Sequence, residues 1–416
     1  MYISLSPLLS SLRHHRLTAL LLVAQVALSC AFVTNALLMI QERAARIRID
    51  SGVAEREISL VTVQNLRKDD NFSARQSTDL ALLRAIPGVT HAVAMGPVKP
   101  LSGGAYDISV CGTSDQADRA RRANTLREVA GCAIATQYSG SPGFTQALGL
   151  RLLAGRDFRN EEFTVSGPTT LAPPVIVTRA LAAKLWPGEN PLGKQVHGFS
   201  DASSVVGVID NVVRGRLGDP GTDYDVMLVP ELPSGATTTY LLRSGQGDRT
   251  RILREAKDAL TGAGPTRKVS DDKLRTFDQI RHDYFQRDTT MLGLLLASSL
   301  ALLFVTALGI GGLANFWVGQ RTRQIGIRRA VGATRRDILR HFQAENFLIV
   351  GAGVVLGMLL AYGLNQLLMR QYELDRLPLF YLPIGAALLW ALGQLAVLGP
   401  ALRATRVPPA IATRSG

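Results

Sequence analysis

Residues 321–340 read RTRQIGIRRAVGATRRDILR, and they lie between two long apolar runs. Seven arginines fall there (Arg321, Arg323, Arg328, Arg329, Arg335, Arg336 and Arg340) against a single acid, Asp337. Residues 289–318 before the stretch and 346–369 after it carry no charged side chain. A bilayer core needs about 20 apolar residues per helix. The stretch therefore reads as a short basic loop between two membrane helices, and basic loops stay on the cytoplasmic side.

Two more charge-free runs qualify as spans, 17–40 and 377–402. The last is interrupted by Pro378, Pro383 and Pro400, which leaves 382–398 as its usable part. The first follows Arg13 and Arg16 like a signal peptide, but its apolar part is longer than the ~7–15 residues of a signal core. A small-residue cleavage site is missing near residues 39–41, so a retained helix is expected. The chain is 47% hydrophobic, and that share is concentrated in these runs rather than spread over soluble domains.

The net charge of +13 invites a nucleic-acid reading, but its distribution points to topology. Segments 1–16, 319–345 and 403–416 hold twelve Arg against Asp337 and Glu345. Segment 41–288 is close to balanced, with 32 Lys and Arg against 29 acids. Basic residues thus crowd one side of the membrane. No basic patch interleaved with aromatics supports nucleic-acid binding. The expected fold is an α-helical membrane protein with four transmembrane helices. A large α+β domain of two subdomains lies between helices 1 and 2. The expected order is a cytoplasmic N-terminus (1–16), helix 1 (17–40), an external domain (41–288) and helix 2 (289–318). A cytoplasmic segment (319–345), helix 3 (346–369), a short outer loop (370–381), helix 4 (382–402) and a cytoplasmic tail (403–416) complete it.

Within the external domain, residues 57–66 (EISLVTVQNL) alternate like a strand, and 79–86 (DLALLRAI) have helical spacing that stops at Pro87-Gly88. Strand and helix patterns alternate onward to residue 270. About 135–235 is expected to be inserted into a unit made of 50–134 and 236–285. Residues 274–286 read as a helix that runs without a breaker into helix 2, as a rod would. Cys30 lies in helix 1 and reads as a small apolar residue. Cys111 and Cys132 share the external domain, where disulfides persist. An even pair there favours a bridge over two buried free thiols.

Residues 188–195 (GENPLGKQ) match the first seven places of a Walker A loop, but Gln195 stands where Ser or Thr should hold Mg²⁺. The residues before the loop look helical, and Pro191 and Gly198 would interrupt a helix after it, so the segment reads as a turn. The six histidines are scattered without metal-ligand spacing. Catalytic residues, a bound cofactor and a metal site are accordingly not expected on this chain. Gln25, Asn35, Asn365 and Gln366 lie in the spans as candidates for bonds between helices. A titrating group at mid-depth is missing, which disfavours a proton-coupled carrier. Gly353 and Gly357 form a GxxxG ridge for close helix packing, within the chain or across a dimer.

The basic loop has features that lipid attraction alone does not require. Ile325, Ile327, Ala330 and Val331 give it an apolar rhythm suited to a short helix in a protein groove. Gly332-Ala333-Thr334 reads as a break, with Thr334 as N-cap and Asp337 three places on in a capping-box arrangement. The segment is expected to form helix, elbow, helix.

RTRQIGIRRAVGATRRDILRHFQAENFLI resembles the cytoplasmic segment of MacB/FtsX-type ABC transporter permeases. DLALLRAIPGV, PGFTQALGLRLLAGRDF, VIVTRALAAKLWPGENPLGKQV and VVGVIDNV resemble the MacB-like periplasmic core domain, and PALRATRVPPAIA agrees near the C-terminus. The resemblance spans nearly the whole chain. It implies a permease of the bacterial inner membrane, with both termini cytoplasmic and 41–288 periplasmic. It implies docking of a cytoplasmic ABC ATPase on Arg323, Gln324, Ile325, Gly326, Ile327, Arg328, Arg329, Ala330, Gly332 and Thr334. ATP and Mg²⁺ would bind on that partner, which would supply the ATPase activity.

The resemblance further implies a dimer with a second copy or paralogue, contact with membrane lipid, and a periplasmic adaptor with an outer-membrane channel. Export of a drug, peptide or lipid-like substrate by mechanotransmission is the expected function. An FtsX-like relay controlling a cell-wall enzyme and a lipoprotein-extracting permease are the alternatives. Two departures stand out: the family usually has Glu where this chain has Gln324, and residues 113–131 have no counterpart in it.

Overall fold

The computed structural model describes residues 16–66, 71–123, 129–165, 172–198, 202–218, 221–372 and 381–406. Residues 1–15, most of the expected outer loop 370–381 and the tail beyond 406 lie outside them. The chain divides into two units, Ile49–Arg287 and the remainder, Met1–Arg48 with Asp288–Gly416. Helix α1 (Arg16–Ile47) opens the second of these.

The Ile49–Arg287 unit begins with β1 (Ile58–Asn65), α2 (Phe72–Arg84) and β2 (Val89–Met95). A long insertion comes next: β3 (Asp107–Cys111), α3 (Ser114–Arg122), β4 (Cys132–Ser139), α4 (Phe144–Leu148), β5 (Leu152–Gly155) and β6 (Thr164–Val165). It continues through β7 (Val175–Thr178), α5 (Arg179–Leu185), β8 (Gln195–Val196), β9 (Ser203–Ile209), β10 (Val226–Val229) and β11 (Glu231–Leu232). The chain then returns with β12 (Thr237–Ser244), α6 (Arg249–Gly262), β13 (Arg267–Lys268) and β14 (Leu274–Thr276).

The first sheet has the order β13-β1-β12-β2, with β14 also on β1, and every pairing is antiparallel. Val61 and Val63 of β1 and Tyr240 and Leu242 of β12 share a core with Leu80 and Leu83 of α2 and Ile252, Ala256 and Leu260 of α6. Asp79 of α2 is buried beneath that sheet. It accepts a hydrogen bond from Tyr240 Oη at 2.7 Å and pairs with Arg267 at 2.7 Å. Burial pushes its carboxyl above the ordinary value, against the opposing pull of Tyr240 and Arg267.

The second sheet has the order β3-β4-β10-β7-β9-β5, with β8 also on β9. It is mixed: β4 with β10 and β7 with β9 run parallel, the other pairs antiparallel. Its core holds Val175, Val177, Val205, Met227 and Val229 under Leu181 and Leu185 of α5. This subdomain starts earlier than the expected residue 135, because Asp107–Cys111 pairs along β4 across the intervening α3. Cys111 and Cys132 are direct cross-strand partners, with Cα atoms 4.1 Å apart, and are joined by a disulfide. The sequence places a helix from residue 274, but Leu274–Thr276 is drawn into β14 by pairing with Ser59–Val61.

Helix α7 (Phe277–Gln320) is continuous for 44 residues. At 1.5 Å per residue it is about 66 Å long, roughly twice the apolar thickness of a bilayer. Its first turns belong to the Ile49–Arg287 unit: Phe277 and Phe285 are buried, Arg281 pairs with Glu55, and Tyr284 Oη accepts from the Leu217 N–H at 2.7 Å. Helices α8 (Thr322–Ala330), α9 (Arg335–Tyr372) and α10 (Tyr381–Ala404) complete the chain's described elements.

By length and composition α1, α7, α9 and α10 can each cross a membrane. Glycines bring them close. A Cβ on Gly353 would lie 2.7 Å from Val26 Cβ, and one on Gly357 would lie 2.5 Å from Cys30 Cβ. The GxxxG ridge of α9 is therefore occupied within the chain, by α1. Polar side chains bond between helices: Ser29 with Thr306 at 2.7 Å, Asn346 Nδ2 to the Gly393 carbonyl at 3.0 Å, and Gln25 Nε2 to the Val305 carbonyl at 3.3 Å. Half of the most apolar part of α1 is buried but only 11% of α7, which leaves Leu294, Leu300, Phe304 and Leu308 exposed.

Candidate functional site: the knuckle of residues 321–340

Gln320 ends α7 and Thr322 begins α8, so one residue, Arg321, makes the bend. Helix α8 then runs nine residues and ends on a Schellman motif. The Gly332 N–H donates to the Arg329 carbonyl at 3.1 Å, and the Ala333 N–H donates to the Arg328 carbonyl at 3.0 Å. Gly332 has φ +105°, a conformation that a side chain disfavours. Thr334 restarts the helix as the pattern predicts. Its hydroxyl accepts from the Asp337 N–H at 3.3 Å, and its own N–H donates back to Asp337 Oδ2 at 3.0 Å.

The two faces of α8 differ. Ile325 and Gly326 turn inward, and Ile325 joins Trp317, Ile338 and Phe342 in the apolar cluster of the bundle. Arg323, Gln324, Ile327, Arg328 and Ala330 turn outward, followed by Val331, which is 84% exposed. Arg329 is half-buried and donates to the Thr405 carbonyl at 3.2 Å. The segment therefore brings seven of its ten expected residues to an accessible surface, Gly332 and Thr334 included. Ile325, Gly326 and Arg329 hold α8 in place instead. The outer surface combines apolar area with guanidinium donors, an arrangement suited to a partner groove that is apolar at its base and acidic at its rim.

Sequence reasoning missed Glu345. It is 2% exposed, and its two carboxylate oxygens lie 3.1 and 2.9 Å from Arg321 Nη1. A signal was present, since Glu345 is one of two acids on the strongly basic side. Of the Walker-like residues, 188–194 lie in the turns between α5 and β8, and Gln195 opens β8, so the segment does not run from a strand into a helix. Lys194 pairs with Glu189 and lies 5.9 Å from the centre of the Trp186 ring. That lysine is therefore occupied, and the chain after it enters strand β8 instead of a helix.

Residues 296–409 match the family described as FtsX-like permease C-terminal, a range that includes the whole knuckle. The chain is 28% identical over 273 residues to the macrolide export ATP-binding/permease protein MacB of Wolinella succinogenes, covering 61% of this chain and 40% of that protein. It is 29% identical over 212 residues to the pyoverdine export ATP-binding/permease protein PvdT of Pseudomonas putida, covering 48% and 31%. Each alignment thus spans well under half of the relative's length. Among solved structures, the periplasmic region of MacB from Actinobacillus actinomycetemcomitans aligns with 12% identity and a TM-score of 0.34, over 57% of this chain and 97% of that one. The extracellular domain of the noncanonic ABC-type transporter YknZ from Gram-positive bacteria aligns with 16% identity and a TM-score of 0.31, over 51% and 100%.

Proposed function

From a chain that is a homologue of MacB and carries an FtsX-like permease domain, we infer a permease subunit driven by a separate cytoplasmic ABC ATPase. ATP and Mg²⁺ are held by that ATPase, and the unit Ile49–Arg287 lies on the outer side of the inner membrane. The two-faced helix α8 carries the reading: its inner face is built into the bundle and its outer face presents Ile327, Arg328 and Val331. Nucleotide-driven movement of the partner displaces α8, and the movement passes along α7. The exported substrate is a drug, peptide or lipid-like molecule, a range that takes in the macrolide and the pyoverdine named for the relatives. Two permease chains pair in the bilayer, and a periplasmic adaptor with an outer-membrane channel completes the path.

The test is capture of the ATPase by the full-length chain purified in detergent. Wild type should retain a cytoplasmic ABC ATPase, and the double substitution Ile327→Asp with Arg328→Asp should release it. Retention that ignores both changes would remove α8 as the docking element. Stimulation of the retained ATPase by a drug, peptide or lipid-like solute in liposomes supports export. Stimulation by a periplasmic protein alone would replace export with a signal relay.

A further inference from the structure

We propose that Arg321 and Glu345 form an ionic clamp that stiffens the bend between α7 and α8, so that a displaced α8 carries α7 and α9 with it. This deepens the preceding reading of the knuckle and rests on it.

The bend is a single residue. Backbone hydrogen bonding continues through it: the Arg321 N–H donates to the Trp317 carbonyl at 3.1 Å, and the Ile325 N–H to the Arg321 carbonyl at 2.9 Å. Arg321 itself has φ −104° and ψ 14°, outside the helical values. The Thr322 hydroxyl bonds back to the Val318 and Gly319 carbonyls at 3.1 and 2.8 Å, a pattern that bends helices. Such a joint is bent but not broken, and its stiffness is set by the contacts of the bending residue.

Those contacts come from a carboxylate of another helix. Arg321 Nη1 reaches both oxygens of Glu345 in α9, and the two side chains are 19% and 3% exposed. Glu345 shares its helix face with Phe342 and Ile349, members of the same apolar cluster as Trp317 and Ile325. An ionised pair in such surroundings contributes little net stability, because desolvation offsets the attraction. Two apolar side chains would serve packing as well. Charge there fixes one geometry between the bend and α9.

The other end of α8 is held separately, by the Arg329 bond to the Thr405 carbonyl just beyond α10. The short helix is thus tied at its start to α9 and at its end to the α10 terminus. The outward residues Ile327, Arg328 and Val331 lie between the two ties or directly beside them. A load applied to them is shared by α7, α9 and α10 instead of being absorbed by rotation at Arg321.

The experiment uses the full-length chain in liposomes with the ABC ATPase that co-purifies with it. ATPase retention is measured beside the ATP-plus-vanadate-dependent change in amide hydrogen exchange at residues 277–288 of α7. The variant Arg321→Met with Glu345→Leu removes both charges of the pair together, so it should fold and retain the ATPase. Its nucleotide-dependent change should fall roughly tenfold, within the range typical of coupling between sites. The exchanged pair, Arg321→Glu with Glu345→Arg, should restore most of it. A Met–Leu variant that responds like wild type would overturn the clamp while leaving the docking reading intact. Failure of the exchanged pair to recover above the Met–Leu variant would also overturn it. A wild-type chain that retains no ATPase would overturn both.

Discussion

Asp79 shows how one residue ties local sequence to the sheet. It sits on the inner face of α2, where a carboxylate is costly unless paired, and Tyr240 and Arg267 supply the partners. Asp79→Ala leaves the Arg267 guanidinium, whose side chain is 8% exposed, without its counter-charge. The expected loss is about 3–5 kcal/mol, read as a lower midpoint in chemical unfolding of the detergent-solubilised chain.

Glu162 gives the pH counterpart at the same scale. Two hydrogen bonds from Arg156, one of them at 2.9 Å, hold its carboxyl below the ordinary value of 4.5. Because the folded value is depressed, the contribution is complete above the unfolded value and is lost as pH falls through the folded one. Glu162→Gln should therefore flatten the acid limb of the stability curve as pH falls below the ordinary value of 4.5. An unchanged slope there would show that the pair does not form in solution.

At the scale of elements, helix approach in the membrane unit is decided by missing side chains. Gly357 lies against Cys30 and the Ala27 carbonyl, with no room for a Cβ. Gly357→Leu should separate α9 from α1 at a cost of about 1–3 kcal/mol, visible as a lower melting temperature in detergent. Gly363, further along the same helix, has open space at its Cβ, so Gly363→Leu is the control that should change little. The β3–β4 pair makes a second element-scale prediction. The disulfide joins residues 21 apart, so removing it with Cys111→Ser and Cys132→Ser should cost about 3 kcal/mol. Reducing agent should have the same effect on wild type and none on the variant.

For the whole molecule, the continuous helix α7 matters most: its residues 277–287 belong to the Ile49–Arg287 unit, and its later residues to the unit of the four candidate spans. Met291→Pro removes one helical hydrogen bond and kinks the rod at about 3 kcal/mol. ATPase retention should persist, because the knuckle is untouched. The nucleotide-dependent change at residues 277–287 should disappear, and its survival would mean that motion reaches those residues by another route.

Apolar runs and capping residues are local or additive signals, so four candidate spans and the helix–elbow–helix of residues 321–340 were legible in the sequence itself. The same holds for the Walker-like turn, whose missing Ser or Thr is a one-residue fact. Sheet membership was less legible: β3 joins β4 across a helix, and no pattern within five residues announces a partner that far away. Least legible was the division of labour among the arginines. Arg321 and Arg329 look like Arg323 and Arg328 in the sequence, yet they turn inward, to partners 24 and 76 residues away. Only the tertiary placement of Glu345 and of the Thr405 carbonyl separates an arginine that turns inward from one that stays exposed, because a guanidinium takes its role from whichever acceptor the packing brings within about 3 Å.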